Sequence, residues 1–440
     1  MGHVIIIGNG ISGITAARNI RKLSDKKITV ISSETTHFFS RTAIMYIYMG
    51  HMKYEHTKPY EDWFWAKNRI DLINDHVEQI DQASKKLKLK SGGHLNYDKL
   101  IIATGSKSTR YDWSGQEING VQSLYSFHDL ELMEQNTKNI QKAVIVGGGL
   151  IGIEMAEMLL SRNIEVCFLI REKCYWNNIL PEEEAKMISK HMREHDIDLR
   201  EETELKEIIG ENQKVKSIIT NTEEEIQCQF VGITVGVHPN IDLVKDTSIE
   251  TNKGILVNEF LQTSDENIYA GGDCVELKNP NEGRNNIDAI WYTGAKMGET
   301  IAFNICEKGI KYDPGIWYNS AKFLDIEYQV YGDIKPRIAV NEATLFWQHE
   351  SWKKSIRINY ENDSHKVIGF NLMGIRYRQR VCEKWIAEQR TIEYVLENLG
   401  EANFDPEFFE QHEQDILKVF NKQSNEQLLQ LKRTRGLSIA

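Results

Sequence analysis

Cysteine is scarce in this chain and missing where redox chemistry would want it. The 440 residues carry six, at positions 167, 174, 228, 274, 306 and 382. None stands in C-x-x-C or C-x4-C spacing, and none lies between Met1 and Cys167. That excludes a redox disulfide and leaves buried free thiols as the expectation. Long apolar runs are missing too: none approaches the roughly 18 uncharged residues that span a bilayer. A strand pattern begins within three residues of the N-terminus, so no signal peptide and a cytoplasmic location are expected. Basic residues are outnumbered, giving a formal net charge of −11. With no basic stripe, nucleic acid is excluded as a partner. The 13 histidines show no H-E-x-x-H or paired-ligand spacing, so no metal site is expected.

What is present is a globular composition, 41% hydrophobic and 27% charged, with a length that allows roughly three domains. Two glycine-rich turns stand out. Gly8-Asn9-Gly10-Ile11-Ser12-Gly13 follows the apolar run Val4–Ile7, and Gly147-Gly148-Gly149-Leu150-Ile151-Gly152 follows Ala143–Val146. Each reads as strand, tight turn and helix start, which aims backbone N–H groups and a positive helix end at a pyrophosphate. Each such turn serves one dinucleotide, so two in one chain fit electron transfer between dinucleotides.

The first unit predicts a helix from Ser12 to Leu23 and a strand Ile28–Ile31 ending at Ser32-Ser33-Glu34. Glu34 lies 21 residues after Gly13, where an acid holds a ribose 2′-OH. His37–Trp65 is dense in aromatics, a pattern that serves core packing or the wall of a flavin. Strand patterns follow at Asp75–Ile80, Lys85–Leu89 and before Ala103-Thr104-Gly105. The second unit predicts a helix Ile151–Ser161, a strand Glu165–Ile170 and a helix Pro181–Glu194. Strand character returns at Ile255–Val257 and Ile268–Ala270, which ends in Gly271-Gly272-Asp273. Residues 315–374 read as β-rich, and the last 65 as helices, with a helix start at Asp405-Pro406 and a mobile tail from Lys432.

The two glycine turns, Ala103-Thr104-Gly105 between them and Gly271-Gly272-Asp273 after them resemble the pyridine nucleotide–disulfide oxidoreductase superfamily over about residues 1–375. The resemblance implies an α/β fold: two Rossmann-like domains for FAD and NAD(P), a β-rich C-terminal α+β domain, and a helical C-terminal extension. The implied boundaries are 1–112 with 248–314 for FAD, 113–247 for NAD(P), 315–375 for the third domain and 376–440 for the extension. FAD is then placed on Gly8, Gly10, Ser12, Gly13 and Glu34, with Ala103, Thr104 and Gly105 beside it and Asp273 at its ribityl and phosphate region. Gly147, Gly149, Leu150, Ile151 and Gly152 are placed at the nicotinamide dinucleotide. Gly236, in Val235-Gly236-Val237-His238-Pro239-Asn240, closes the second domain. Trp291 opens a helix that relatives aim at the flavin pyrimidine ring, where its dipole favours negative charge.

Phe39-Ser40-Arg41-Thr42-Ala43-Ile44 puts Arg41 where disulfide- and peroxide-reducing relatives carry cysteine. This resembles the ferredoxin/rubredoxin reductase branch. The implied activity is hydride transfer from NAD(P)H to flavin N5, then electron delivery to a small carrier such as ferredoxin or rubredoxin. A soluble diaphorase or quinone reductase, and a redox-dependent interaction or sensor flavoprotein, remain as alternatives. Arg41, Tyr46 and Glu154 are the candidate catalytic residues. Glu154 stands in Gly152-Ile153-Glu154-Met155-Ala156, while Tyr46 holds the place where relatives put a lysine to pair it. A buried Glu without a cation tends to be protonated. The second unit's strand ends in Ile170-Arg171 where an NAD site wants an acid, which favours NADPH over NADH; Glu172, one residue on, opposes this. Arg376, Arg378 and Arg380 alternate in the extension, as a strip for an acidic carrier or as a solvated face, and the extension leaves a homodimer contact open.

Overall fold

The computed structural model describes residues 2–281, 283–405, 407–423 and 428–432. Two five-stranded parallel sheets dominate it. The first has the strand order Ile268–Ala270, Lys99–Ile102, His3–Ile7, Lys27–Ser32, Ile70–Asn74. The second has the order Ile197–Arg200, Glu165–Leu169, Lys142–Val146, Phe230–Ile233, Val121–Gln122. Their central strands are apolar almost throughout and buried on both faces, as a parallel sheet covered by helices requires.

The two units repeat one another in detail. The Gly8 N–H donates to the Ile31 carbonyl at 2.8 Å, and the Gly147 N–H donates to the Leu169 carbonyl at 3.1 Å. Each turn thus reaches across to the neighbouring strand before its helix begins, Ile11–Leu23 in one unit and Leu150–Leu160 in the other. Gly8 has φ +109°, and a Cβ there would stand 2.0 Å from the Ala103 carbonyl oxygen. Only glycine fits that close approach. A short antiparallel pair, Ser106–Ser108 with Val237–Pro239, ties the units together.

The third sheet is antiparallel, ordered Tyr318–Phe323, Ile326–Gly332, Val367–Met373, Ser355–Glu361, Glu342–Gln348. Helices Gln379–Ala387, Ile392–Glu397 and Glu413–Gln423 lay apolar faces on it. Leu345, Ile358 and Phe370 of the sheet share one buried cluster with Trp385, Leu396 and Phe420 of the helices. The segment expected as an extension therefore completes the third core. Its last helix begins at Glu413, after a turn at Asp405, and not at Asp405 itself. Pro406 and the tail residues 433–440 lie outside the described residues.

The long helix of the second unit, Glu182–Glu194, is clamped to the third sheet. Glu184 is fully buried, and its carboxylate accepts from Arg357 at 2.8 and 2.9 Å and from Asn371 at 3.1 Å. A buried carboxylate is tolerable only with partners of this number and geometry.

Candidate functional site

The first glycine turn and the start of the second unit's helix line one cleft of about 1190 Å³. That exceeds the ~300–1,000 Å³ typical of a single small-molecule pocket. Gly8, Gly10, Ser12, Glu34, Ala103, Thr104, Gly105 and Asp273 line one part of it. Leu150, Ile151 and Glu154, from the second unit, line another, and Trp291 and Lys322 border it as well. Gly13, Gly147, Gly149, Gly152, Arg171 and Gly236 are not among the lining residues. Gly13 and Gly152 serve helix packing instead: a Cβ would meet the Gly8 oxygen at 2.1 Å and the Gly147 oxygen at 2.7 Å. Gly236 has φ +102° and leads into the strand that ties the two units together.

The dinucleotide end has the features of an anion cradle. Gly10 caps the helix Ile11–Leu23, and a Cβ on it would meet no protein atom within 4 Å. Its lack of a side chain is not required by the protein's own packing. Ser12 is buried in the first turn of that helix, and its hydroxyl has no hydrogen-bond partner among the described residues. An unpartnered buried hydroxyl beside free helix N–H groups fits a pyrophosphate. Asp273 also lines the cleft, following Gly271 and Gly272, which pack against Ser12. Ser106 Oγ donates to it at 3.3 Å and Tyr125 Oη at 3.5 Å. Burial pushes the Asp273 carboxyl up, while Ser106 and Arg41 pull the other way. Burial and the same carboxylate push the Tyr125 phenol up to about 12, so it stays a donor.

Glu34 sits at the end of the second strand, as expected, and is held firmly. Arg41 grips it with two parallel bonds of 2.8 and 2.5 Å, and the Phe127 N–H donates to it at 2.7 Å. Arg41 also donates to the Tyr125 carbonyl at 2.7 Å and stacks its guanidinium 4.8 Å from the Tyr125 ring centre. Arg41 therefore links Glu34 to Tyr125, a residue no sequence motif marked. The aromatic stretch folds into short helices, among them Ile44–Tyr48 and Asp62–Lys67. Trp65 and Tyr48 are buried in cores, while Phe38, Phe39 and Tyr46 line the cleft.

Glu154, one turn into the second unit's helix, faces the same cleft. Burial pushes its carboxyl up to about 7; Glu157 adds to this and Lys322 opposes it. Among the described residues no hydrogen bond joins Tyr46 to Glu154. The cation absent from position 46 comes instead from the third sheet. Lys322 donates to Glu157 at 2.7 Å, and its ammonium lies 5.9 Å from the Tyr46 ring centre. Trp291 is 42% exposed at the start of the helix Trp291–Ile305 and meets Tyr292 edge-on at 5.4 Å.

The second unit's strand ends at Leu169, and Ile170 is buried. Glu172 nevertheless supplies an acid at the turn. Its Oε2 lies 3.6 Å from where a Cβ on Gly148 would stand. Arg171 is 71% exposed and donates to the Glu172 carboxylate at 3.2 Å. Of the arginine strip, Arg376 is engaged with Glu327 at 3.2 Å and stacked on Phe404.

Comparison with known proteins agrees with this architecture. Residues 2–298 match the family described as pyridine nucleotide-disulphide oxidoreductase. An NADH oxidase of Methanocaldococcus jannaschii is 30% identical over 340 residues, covering 74% of this chain and 75% of that protein. An NADH-rubredoxin oxidoreductase of Clostridium acetobutylicum is 28% identical over 404 residues, covering 90% of this chain and 99% of that protein. The covalent putidaredoxin reductase–putidaredoxin complex shares the fold, with a TM-score of 0.79 at 19% identity, covering 88% of this chain and 93% of that one. The chain belongs to the pyridine nucleotide-disulphide oxidoreductase family, with FAD and a nicotinamide dinucleotide as its cofactors.

Proposed function

We propose that this protein is an NAD(P)H-dependent FAD oxidoreductase that delivers electrons to a small one-electron carrier protein of the rubredoxin or ferredoxin type. The observation that carries this reading is a single cleft lined by both dinucleotide units and containing no thiol. The six cysteines lie elsewhere, and burial pushes Cys167 and Cys228 up to about 12, out of thiolate range. A protein disulfide therefore takes no part. Relatives named for rubredoxin reduction support the choice of acceptor.

Bound FAD supplies hydride acceptance from the nicotinamide and release of electrons singly or in pairs. The chain's own residues bind, orient and set charge. Gly10 and Ser12 present the helix N-terminus to the pyrophosphate. Glu34, fixed by Arg41, accepts from the adenosine ribose. Asp273 holds the ribityl and phosphate region, with Tyr125 and Ser106 fixing its carboxyl. Trp291 begins the helix whose N-terminal end favours negative charge at the pyrimidine edge. Glu154 holds a proton at the nicotinamide end of the cleft, with Lys322, bonded to Glu157, as the nearby opposing charge. Steady-state turnover with rubredoxin, ferredoxin and a quinone tests this. Fast reduction of one carrier is the expected result. High turnover with quinones alone would assign the chain as a diaphorase instead.

The coenzyme choice rests on Arg171 and Glu172. The guanidinium suits a 2′-phosphate, which favoured NADPH from the sequence; the carboxylate beside Gly148 suits a free 2′-OH. We propose that the pair admits both coenzymes and sets their ratio. Removing the carboxylate charge with Glu172→Gln raises the NADPH/NADH ratio of kcat/KM by about tenfold, the equivalent of ~1.4 kcal/mol. Arg171→Ala lowers it by a similar factor. Equal ratios in all three proteins would remove both residues from the coenzyme site.

A further inference from the structure

The helix Glu182–Glu194 carries a second cluster outside the cleft. His191 and its C-cap residue His195 stand four positions apart, on one face. The chain thus carries a paired-ligand histidine spacing after all, contrary to the expectation from its sequence. Asp325, in the turn between the strands Tyr318–Phe323 and Ile326–Gly332, reaches both imidazoles. His191 Nε2 bonds to Asp325 Oδ1, and His195 Nε2 lies 3.5 Å from the same oxygen. The three ligand atoms fall within 4.8 Å of one another.

The tautomers make this contact unusual. His195 Nδ1 lies 3.0 Å from the His191 backbone carbonyl, which can only accept. The His195 proton is therefore on Nδ1, and its Nε2 lone pair faces a carboxylate oxygen. In the neutral ring two acceptors then face one another, and either a second ring proton or a metal ion must lie between them. His191 has the complementary difficulty. It is 1% exposed, and its Nδ1 has no hydrogen-bond partner among the described residues. Glu194 Oε2 lies 3.8 Å from that nitrogen. A metal ion on His191 Nε2 would shift the ring proton to Nδ1, facing that carboxylate. Metal-bound histidines are ordinarily oriented by such an outer partner.

The geometry points to a binding site for a divalent transition metal ion of borderline softness, Zn2+ in the first place, on His191, His195 and Asp325. Two imidazoles and one carboxylate suit that class of ion. Tetrahedral bonds of about 2.0–2.1 Å imply ligand separations of about 3.3 Å, close to the 3.5 Å between His195 and Asp325; His191 and Asp325, in direct hydrogen-bond contact here, would move apart to admit the ion. Lys353 engages the other carboxylate oxygen, Oδ2, at 3.3 Å, leaving Oδ1 to the site. Asp325 is half exposed, which gives the ion a path in and a solvent ligand. Because the histidines belong to the second dinucleotide unit and Asp325 to the third domain, the ion would pin one to the other.

Equilibrium dialysis of the flavin-loaded protein against Zn2+, with elemental analysis, tests the site. Wild type is expected to retain one Zn2+ per chain and to melt at a higher temperature with Zn2+ than with a chelator. His195→Gln and Asp325→Asn each remove one ligand at a solvent-accessible position and leave buried His191 in place. Each is expected to weaken Zn2+ binding by about 100-fold or more and to abolish the thermal shift. If wild type and both variants retain the same amount of Zn2+, or none retains any, the site does not exist.

Discussion

Glu154→Gln is the sharpest test of how the cleft holds its acid. In the folded chain the carboxyl titrates near 7, raised from an ordinary 4.5 by burial first and by Glu157 second. In the unfolded chain it titrates at the ordinary value. Below pH 4.5 both states hold the proton and the residue contributes nothing to stability. Between 4.5 and 7 the unfolded chain releases its proton and the folded chain does not, so stability falls as pH rises. Above 7 the loss is complete and amounts to about 3 kcal/mol, at 1.36 kcal/mol for each tenfold difference in proton affinity. Glutamine keeps the size and stays neutral. Urea unfolding of the flavin-stripped protein, followed by tryptophan fluorescence, should give coincident stabilities for wild type and variant near pH 4.5. By pH 8 the variant should be more stable by about 3 kcal/mol. Lys322→Met removes the opposing cation and should carry the wild-type decline to higher pH. A gap that does not change with pH, or a wild type more stable at pH 8, would refute the burial of an ionisable acid here.

Other substitutions separate cofactor binding from folding. Gly10→Ala meets open space in the protein, so it should leave the apoprotein's melting temperature unchanged while weakening FAD binding in a fluorescence titration. Gly8→Ala drives a methyl into the Ala103 carbonyl and should destabilise the fold itself, by more than 1 kcal/mol in urea. Arg357→Ala strands the fully buried Glu184 carboxylate and should cost about 3–5 kcal/mol, while joint replacement of Arg357 and Glu184 by methionine costs far less. Equal losses in the single and double variants would show that packing, not charge, sets that cost.

The dinucleotide framework was legible because its signals are local. A glycine turn between an apolar strand and a helix constrains its own backbone, so Gly8, Gly10 and Gly147 could be placed from spacing alone, and Glu34 followed by counting. Contacts across the fold leave no such trace. Tyr125 holds Arg41 and Asp273 from a segment with no motif. Lys322 reaches Glu157 across 165 residues of chain. Glu172 stood in the sequence only as an acid opposing the NADPH reading, and the turn after Ile170 brings its carboxylate back beside Gly148. The strand Ile70–Asn74 escaped because its burial is uneven along its length. The terminal helices read as an extension because their partners, Leu345, Ile358 and Phe370 of the sheet, are distant in the chain and meet Trp385, Leu396 and Phe420 only in the folded core.

The origin of Lys322 has a consequence for how the domains work together. Glu154 belongs to the nicotinamide unit, whereas Lys322 belongs to the third sheet, so the environment of the acid is completed only when the two are docked. Separating them would hydrate Glu154 and return its carboxyl towards the ordinary range. Docking is thus linked to proton uptake between about pH 4.5 and 7, with mildly acid solution favouring the closed arrangement. Arg357 and Glu184 oppose any such opening independently of pH, since they tie the helix Glu182–Glu194 to the same sheet. In a protein with both Arg357 and Glu184 replaced by methionine, which leaves no stranded carboxylate, the contact between the two domains should therefore become pH-dependent. Amide exchange in that helix should speed up as pH rises from 5 to 7, beyond the intrinsic increase seen in an unstructured peptide of the same sequence. An exchange rate that rises only by the intrinsic factor would show that Glu154 and Lys322 do not report on docking.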